Sequence, residues 1–308
     1  MSTANVPPID QPALTFETPH AKFQRLRYWS WWLPVFVAVW AMVYFWAFDH
    51  PLALLQQNWP LFLVGFAGAL IGNATAVGGG VVFIPVMILV YQLPAVTSLK
   101  VAIASQSFGM TSGAIGWTRR GVVPMKLLWI TVPPLLIGST ISTLVIHPNP
   151  LLIKGLFGPA SIFIGVITLY FINHHGWRDE IPRKAYLPLA VMSLIGGTLT
   201  GWIAIGEGEV IAAFLMLVYA FRAERGIGLG VVLLSINSLY LTFLHQFFAG
   251  GIPWELVMFT GFGCVFGGRL GPYLSQWVGP KRLKIGFATI AIVDGTIFIL
   301  QFLLTGVH

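Results

Sequence analysis

An apolar run from Leu61 to Tyr91 is interrupted by Gly72-Asn73-Ala74-Thr75-Ala76-Val77-Gly78-Gly79-Gly80, a glycine-rich stretch poor at sustaining a helix. One membrane-spanning helix takes ~20 apolar residues and two take ~40, so the run is too long for one and too short for two. Its spacing predicts two half-depth helices meeting at a broken tip. Such a break is tolerated at membrane depth where its freed N–H and C=O groups line a polar cavity or are buried in protein. Transporters commonly build their binding sites in this way.

Composition points to the same solvent. Hydrophobic residues make up 56% of the chain and charged residues 9%, with a mean hydropathy of +0.82, whereas a soluble domain carries about 25% charged residues. The net charge of +7 lies in short clusters between apolar runs, a pattern that argues against nucleic-acid binding. A single cysteine, Cys264, excludes an internal disulfide and a multi-cysteine metal site, and its apolar surroundings make packing its default role. His147 and His245 lack metal-ligand spacing, so no metal site is expected. No Walker-type GxxxxGK[ST] occurs and no nucleophile and base stand together, so the chain reads as neither an ATPase nor another enzyme, and no cofactor is implied. The driving force would be an ion gradient or the substrate gradient.

The expected fold is an all-α polytopic membrane protein. Residues 1–27 read as a flexible cytoplasmic tail without a signal-peptide core, and residues 28–48 as an extra span with Trp29, Trp31 and Trp32 in the interfacial belt. A polar linker, Asp49 to Asn58, precedes a first repeat over 59–173: the broken segment, then spans at Thr97–Trp117, Met125–Ile146 and Leu151–Ile172. A charged linker from His174 to Lys184 leads to a second repeat over 186–305. There Tyr186–Ile205 is interrupted by Gly206-Glu207-Gly208-Glu209 and resumes at Val210–Phe221, followed by spans at Gly226–Phe248, Glu255–Leu274 and Leu283–Leu304.

At an offset of 128 positions, Gly78 and Gly80 fall on Gly206 and Gly208, Val82 on Val210, Leu89-Val90-Tyr91 on Leu217-Val218-Tyr219, and Ser107 on Ser235. With one residue inserted, Gly121, Pro124 and Gly138 fall on Gly250, Pro253 and Gly267. A near-constant offset that also aligns the two breaks indicates an internal duplication. If both broken segments are hairpins that return to the side they entered, fourteen of the 17 basic residues face the cytoplasm, leaving Lys100 and Lys154 outside and Arg269 within a span. Single crossings would instead turn Arg119 and Arg120 outward, against the positive-inside bias. The hairpin reading therefore makes the duplication an inverted one, each repeat being one hairpin plus three spanning helices, with the N-terminus cytoplasmic and the C-terminus periplasmic.

Each hairpin would aim the N-terminus of its second half-helix, near Val81 and near Val210, at the bilayer midplane, where unpaired N–H groups and the helix dipole attract anions. Candidate substrate contacts are Asn73, Thr75, Gly78, Gly79 and Gly80 in the first half and Gly206 and Gly208 in the second. The glycines also serve the plainer role of close packing. In the next span Ser98, Ala102, Ser105, Gly109, Ser112 and Gly116 share one face, which suits helix packing, while Ser105 and Gln106 can reach the tip. Ser235 and Asn237 hold the matching places. Arg269 either snorkels or supplies a counter-charge for an anion or a glutamate. Glu207 and Glu209 are the sharpest feature, because a midplane carboxylate costs at least ~2.5 kcal/mol and usually serves ion or proton traffic. Glu209 has the alternative of capping its own half-helix. Two ionised acids would repel an entering anion, so at least one should be protonated or turned away when substrate binds, which links anion and proton. Asp294 is expected to lie against a basic or polar neighbour.

The GxxxAVGGGxxxxP stretch from Gly72 to Pro85, the small and polar span after it, the Gly121-Val122-Val123 turn and the weaker second copy resemble the TauE/SafE sulfite exporter family. The resemblance covers roughly Leu61 to Leu304. It implies a secondary transporter of the bacterial inner membrane that moves small sulfur-containing anions such as sulfite or organosulfonates, usually outward. The two acids of the second break depart from a glycine-rich pattern. A passive anion channel and a transporter of another small organic anion are the competing readings; an intramembrane enzyme or a structural partner is disfavoured. The expected partners are the small anion and the lipid bilayer, with homo-oligomerisation left open.

Overall fold

The computed structural model describes residues 19–170, 176–278 and 280–305, so residues 1–18 of the expected tail and part of the charged linker lie outside the described residues. Two compact units divide at Pro51. The first holds α1 (Pro19–Ala47), which starts nine residues before the expected span boundary at Tyr28. Phe36 and Trp40 pack at 5.4 Å between ring centroids, and the Tyr44 hydroxyl donates to the Pro51 carbonyl at 2.5 Å.

The second unit is helical throughout its described residues apart from turns and an isolated bridge between Arg178 and Phe221. The expected polar linker is corrected here: Pro51–Asn58 forms α2, because proline at the first position has its φ preset for a helix. The first broken segment consists of α3 (Pro60–Thr75), a break at Ala76–Gly79, α4 (Gly80–Pro85) and a wider π-type turn over Val86–Val90. Pro85 has no N–H to donate within the helix, and the wider turn follows directly after it. Then come α5 (Ala95–Arg119), α6 (Met125–Thr140, widening into a π-type turn at Ile141–Val145) and α7 (Pro150–Tyr170).

The second half runs α8 (Tyr186–Ile203), a break at Ala204–Gly206, α9 (Glu207–Tyr219), α10 (Ala223–Phe248), α11 (Trp254–Val278) and α12 (Pro280–Thr305). The second half-helix starts at Glu207, one turn earlier than the expected Val210. Both acids therefore sit in a helical first turn rather than in the break.

By length and composition, Met125–Val145, Pro150–Tyr170, Arg183–Ile203 and Ala223–Phe248 can each cross a bilayer. The segments α5 and α11 are equally long but more polar, because protein lines much of their surface. The small-residue face of α5 lies on α11: Ser105 bonds Thr260, Ser112 donates to the Val265 carbonyl at 2.8 Å, and a Cβ on Gly109 would stand 3.1 Å from Cys264 Cβ. Packing is thus what that stripe does.

Contacts between the halves are reciprocal. In the first pairing α3 packs on α11, with Gly267 against the Phe66 carbonyl; in the second α8 packs on α6, with Gly138 against the Leu194 carbonyl. Each glycine position admits no Cβ, and Phe66 and Leu194 stand at the same offset of 128 positions that relates the two breaks. One apolar core contains Val77, Val81 and Phe83 together with Ile203, Ala204 and Ile205, so both breaks are anchored in the same cluster.

Candidate functional site

Each break turns on an alanine in the left-handed region, Ala76 at φ 63° and Ala204 at φ 56°. A non-glycine residue there is strained and needs the surrounding structure to hold it. The two alanines are themselves 128 positions apart, and their carbonyls are where the breaks meet. A Cβ on Gly80 would stand 2.6 Å from the Ala204 carbonyl oxygen, and one on Gly208 would collide with the Ala76 carbonyl oxygen. Backbone thus crosses backbone at both contacts, and glycine is required at each for close approach.

The side chain that joins the breaks is Glu209. Its Oε1 accepts the Gly78 N–H at 2.7 Å and its Oε2 accepts the Gly206 N–H at 3.1 Å. One donor comes from each half, and the two occupy matching positions. The bond to Gly206 is the capping role open to Glu209 from sequence; the bond to Gly78 adds a second role, linking the halves. Both oxygens lie at the positive ends of half-helices, where a negative charge is most favourable.

Glu207 is fully buried. Asn237 Nδ2 donates to Glu207 Oε2, and Asn237 Oδ1 accepts from the Ser139 hydroxyl at 2.6 Å. Glu207 Oε1 has no hydrogen-bond partner among the described residues. The backbone N–H of Glu207 donates to Thr200 Oγ1 at 3.3 Å. The carboxyl therefore sits where α6, α8, α9 and α10 meet, half satisfied and within electrostatic reach of Glu209.

Gln106 lies on the other side of the crossing. Its Nε2 donates to Ser238 Oγ at 3.0 Å, and its Oε1 is buried without a partner, 3.4 Å from where a Cβ on Gly78 would be. Asn73 is a wedge between α5 and α11. Its Nδ2 donates to the Ala69 and Gly109 carbonyls at 2.9 and 3.2 Å, and Gly113, Gly268 and Gly271 leave room for it.

Gly78, Gly80, Gln106, Gly206, Gly208, Glu207, Glu209 and Asn237 are thus brought to one place around the crossing. Gly79 adjoins it as the N-cap of α4, with Phe83 filling the space a Cβ would take. Other expected site residues have local partners: Thr75 Oγ1 bonds the Ile71 carbonyl at 2.9 Å, Ser235 pairs with Thr111 at 2.9 Å, and Ser105 bonds Thr260. Arg269 is half-buried, with Nη1 3.7 Å from where a Cβ on Gly116 would stand, near the C-terminal end of α5 and one turn beyond Gly113. Asp294 is half-buried on α12, and no hydrogen bond or ion pair to it is seen among the described residues. The sequence reading passed over Ala76, Ala204, Thr200 and Ser139. The first two were accessible through the repeat offset; the other two become relevant only through contacts made in space.

Comparison with known proteins gives one family and several relatives. The family described as Sulfite exporter TauE/SafE matches residues 61–296. A protein of Methanocaldococcus jannaschii named as a probable membrane transporter is 26% identical over 257 residues, covering 78% of this chain and 94% of its own length. A probable membrane transporter protein of Haemophilus influenzae is 24% identical over 225 residues, 73% of this chain and 87% of that one. The Bacillus subtilis probable membrane transporter protein YdhB is 23% identical over 226 residues, with coverages of 72% and 86%. No solved structure matches.

Proposed function

The chain belongs to the sulfite exporter TauE/SafE family and is a multi-pass membrane transporter, and from that premise we propose that it moves a small sulfur-containing anion, sulfite or an organosulfonate, held between the two breaks. The observation that carries this reading is the convergence of the Gly78 and Gly206 N–H groups, one from each half, on a single carboxylate. A pocket that satisfies a buried carboxylate through backbone N–H groups and two helix ends has the chemistry to satisfy an oxyanion of similar size.

We read the halves as an inverted duplication, so that rocking one against the other exposes the crossing first to one side and then to the other. The setting is the bacterial inner membrane, with outward transport. Protons enter through the acids: Glu207 and Glu209 cannot both stay charged beside an arriving anion, so binding of the anion draws a proton onto the pair.

The test is counterflow in proteoliposomes containing the purified protein. Preloaded sulfite should drive uptake of labelled sulfite that saturates, and an organosulfonate should compete. Ohmic, unsaturated current would instead select the channel reading, and saturable flux of a carboxylate without any response to sulfite would reassign the substrate.

A further inference from the structure

We propose that Glu209 is a tethered competitor of the transported anion: its carboxylate occupies the backbone donors of both breaks, and an anion gains those donors only when the carboxylate leaves them. This rests on the reading that the anion binds between the breaks. It adds that the seat is a carboxylate-shaped anion site filled by the protein itself, and it names where the carboxylate goes.

Three observations meet here. The donors of Glu209 come from both halves, so its bonds hold the crossing closed rather than merely finishing one helix. The contact is tight, since neither Gly80 nor Gly208 leaves room for even a Cβ between the breaks, and the two Glu209 oxygens already hold the break donors that an anion would need. Finally, the buried Gln106 Oε1 beside Gly78 is an acceptor without a donor. Ionised, the Glu209 carboxyl only accepts, and it matches the two N–H groups. Protonated, it has one O–H to donate, and Gln106 Oε1, beside Gly78, is an unfilled acceptor. One proton thereby exchanges two N–H···O bonds to Glu209 for one O–H···O bond to Gln106, and frees the Gly78 and Gly206 N–H groups for the anion.

The groups that influence this step are few. Neither α3 nor α4 carries a titratable side chain, and α8 carries only Tyr186, at its start. Those of α5 and α7 lie toward their ends, Lys100 and Arg119, Lys154 and Tyr170; α10 carries Glu224, Arg225 and His245 toward its ends and Tyr240 further in, its hydroxyl paired with Thr140 at 2.7 Å; and α12, which packs on α4, carries Asp294 midway along its length. Glu207, on the same helix, is the titratable neighbour in electrostatic reach.

The experiment uses formate as the probe, because it reproduces the displaced group and keeps its charge above pH 5. Thermal melting of the purified full chain is followed against formate concentration for the parent, Glu209→Ala and Glu209→Gln. In Glu209→Ala formate should refill the seat and raise the melting temperature with saturation, while the parent shows no response. In Glu209→Gln, which retains side-chain volume and is the fallback if the alanine variant does not fold, formate should likewise raise the melting temperature with saturation, because the neutral amide competes for the donors without a charge-assisted bond. Identical formate titrations in the parent and in the folded variants would overturn the proposal. Sulfite counterflow is scored separately, so a formate-responsive Glu209→Ala in a protein that ignores sulfite would retain the tethered competitor and reject only the substrate.

Discussion

In the first break the positions matching Glu207 and Glu209 are Gly79 and Val81, at the offset that aligns Ala76 with Ala204. The two breaks share a left-handed alanine, a glycine pressed on the opposite carbonyl and a buried helix start. They differ in what they bring to the crossing. The first contributes an N–H donor and an apolar helix; the second contributes its own N–H donor together with both acids. Asn73 and Asn237 show the same division: Asn73 wedges the first half against α11, whereas Asn237 holds Glu207. A scaffold need that arises twice is met twice with the same residue type, whereas one carboxylate suffices to take both donors where they converge.

The harshest way to break the comparison is through the shared part. Gly80→Val and Gly208→Val each drive a branched side chain into the opposite alanine carbonyl. Each should cost more than ~4 kcal/mol, the range reached by overpacking and strain at special backbone positions, and should yield little monodisperse protein after size exclusion. Near-normal yield and melting for one of the two would show that the breaks are not equivalent in packing.

A milder perturbation separates the acids. For an organosulfonate, whose own charge is constant from pH 5 to 8, uptake of one linked proton makes apparent affinity rise as pH falls, by up to ~tenfold per pH unit. Glu209→Gln should flatten that slope, because Glu209 holds the two break donors, whereas Glu207→Gln should keep both binding and slope, read by equilibrium binding across the pH range. A slope flattened in Glu207→Gln alone would assign the proton to Glu207 and remove the protonated Glu209 from the exchange. The gentlest test leaves the site untouched: a tag on the N-terminal tail should report the cytoplasm and one after His308 the periplasm. Both tags on one side would remove the hairpin topology, and with it the inverted relation of the halves.

Much of the fold was legible because its signals are local. Apolar runs, the glycine interruptions and the 128-position offset lie along the chain, and α3 to α12 appear close to the expected places. The exceptions are also local in cause. The linker after Asp49 became α2 through Pro51, and α9 began a turn early because Glu209 satisfies the N–H of Gly206 and so stabilises that first turn.

Sequence by itself determined that this chain is an all-helical membrane protein with two broken segments, and that two buried acids stand beside the second. The family motif from Gly72 to Pro85 was legible for the same reason. Only the tertiary structure decided what occupies the point where the breaks meet. Glu209 and Gly78 are 131 positions apart, and no periodicity relates a carboxylate to a backbone N–H over that distance. Which of the expected polar residues keep an unpartnered atom was likewise decided in space: Ser105, Thr75 and Ser235 found partners, while one oxygen each of Asn73, Gln106 and Glu207 did not. A hydrogen bond is directional and effective within about 3 Å, so residue type sets what a side chain can bond, and packing sets what it meets.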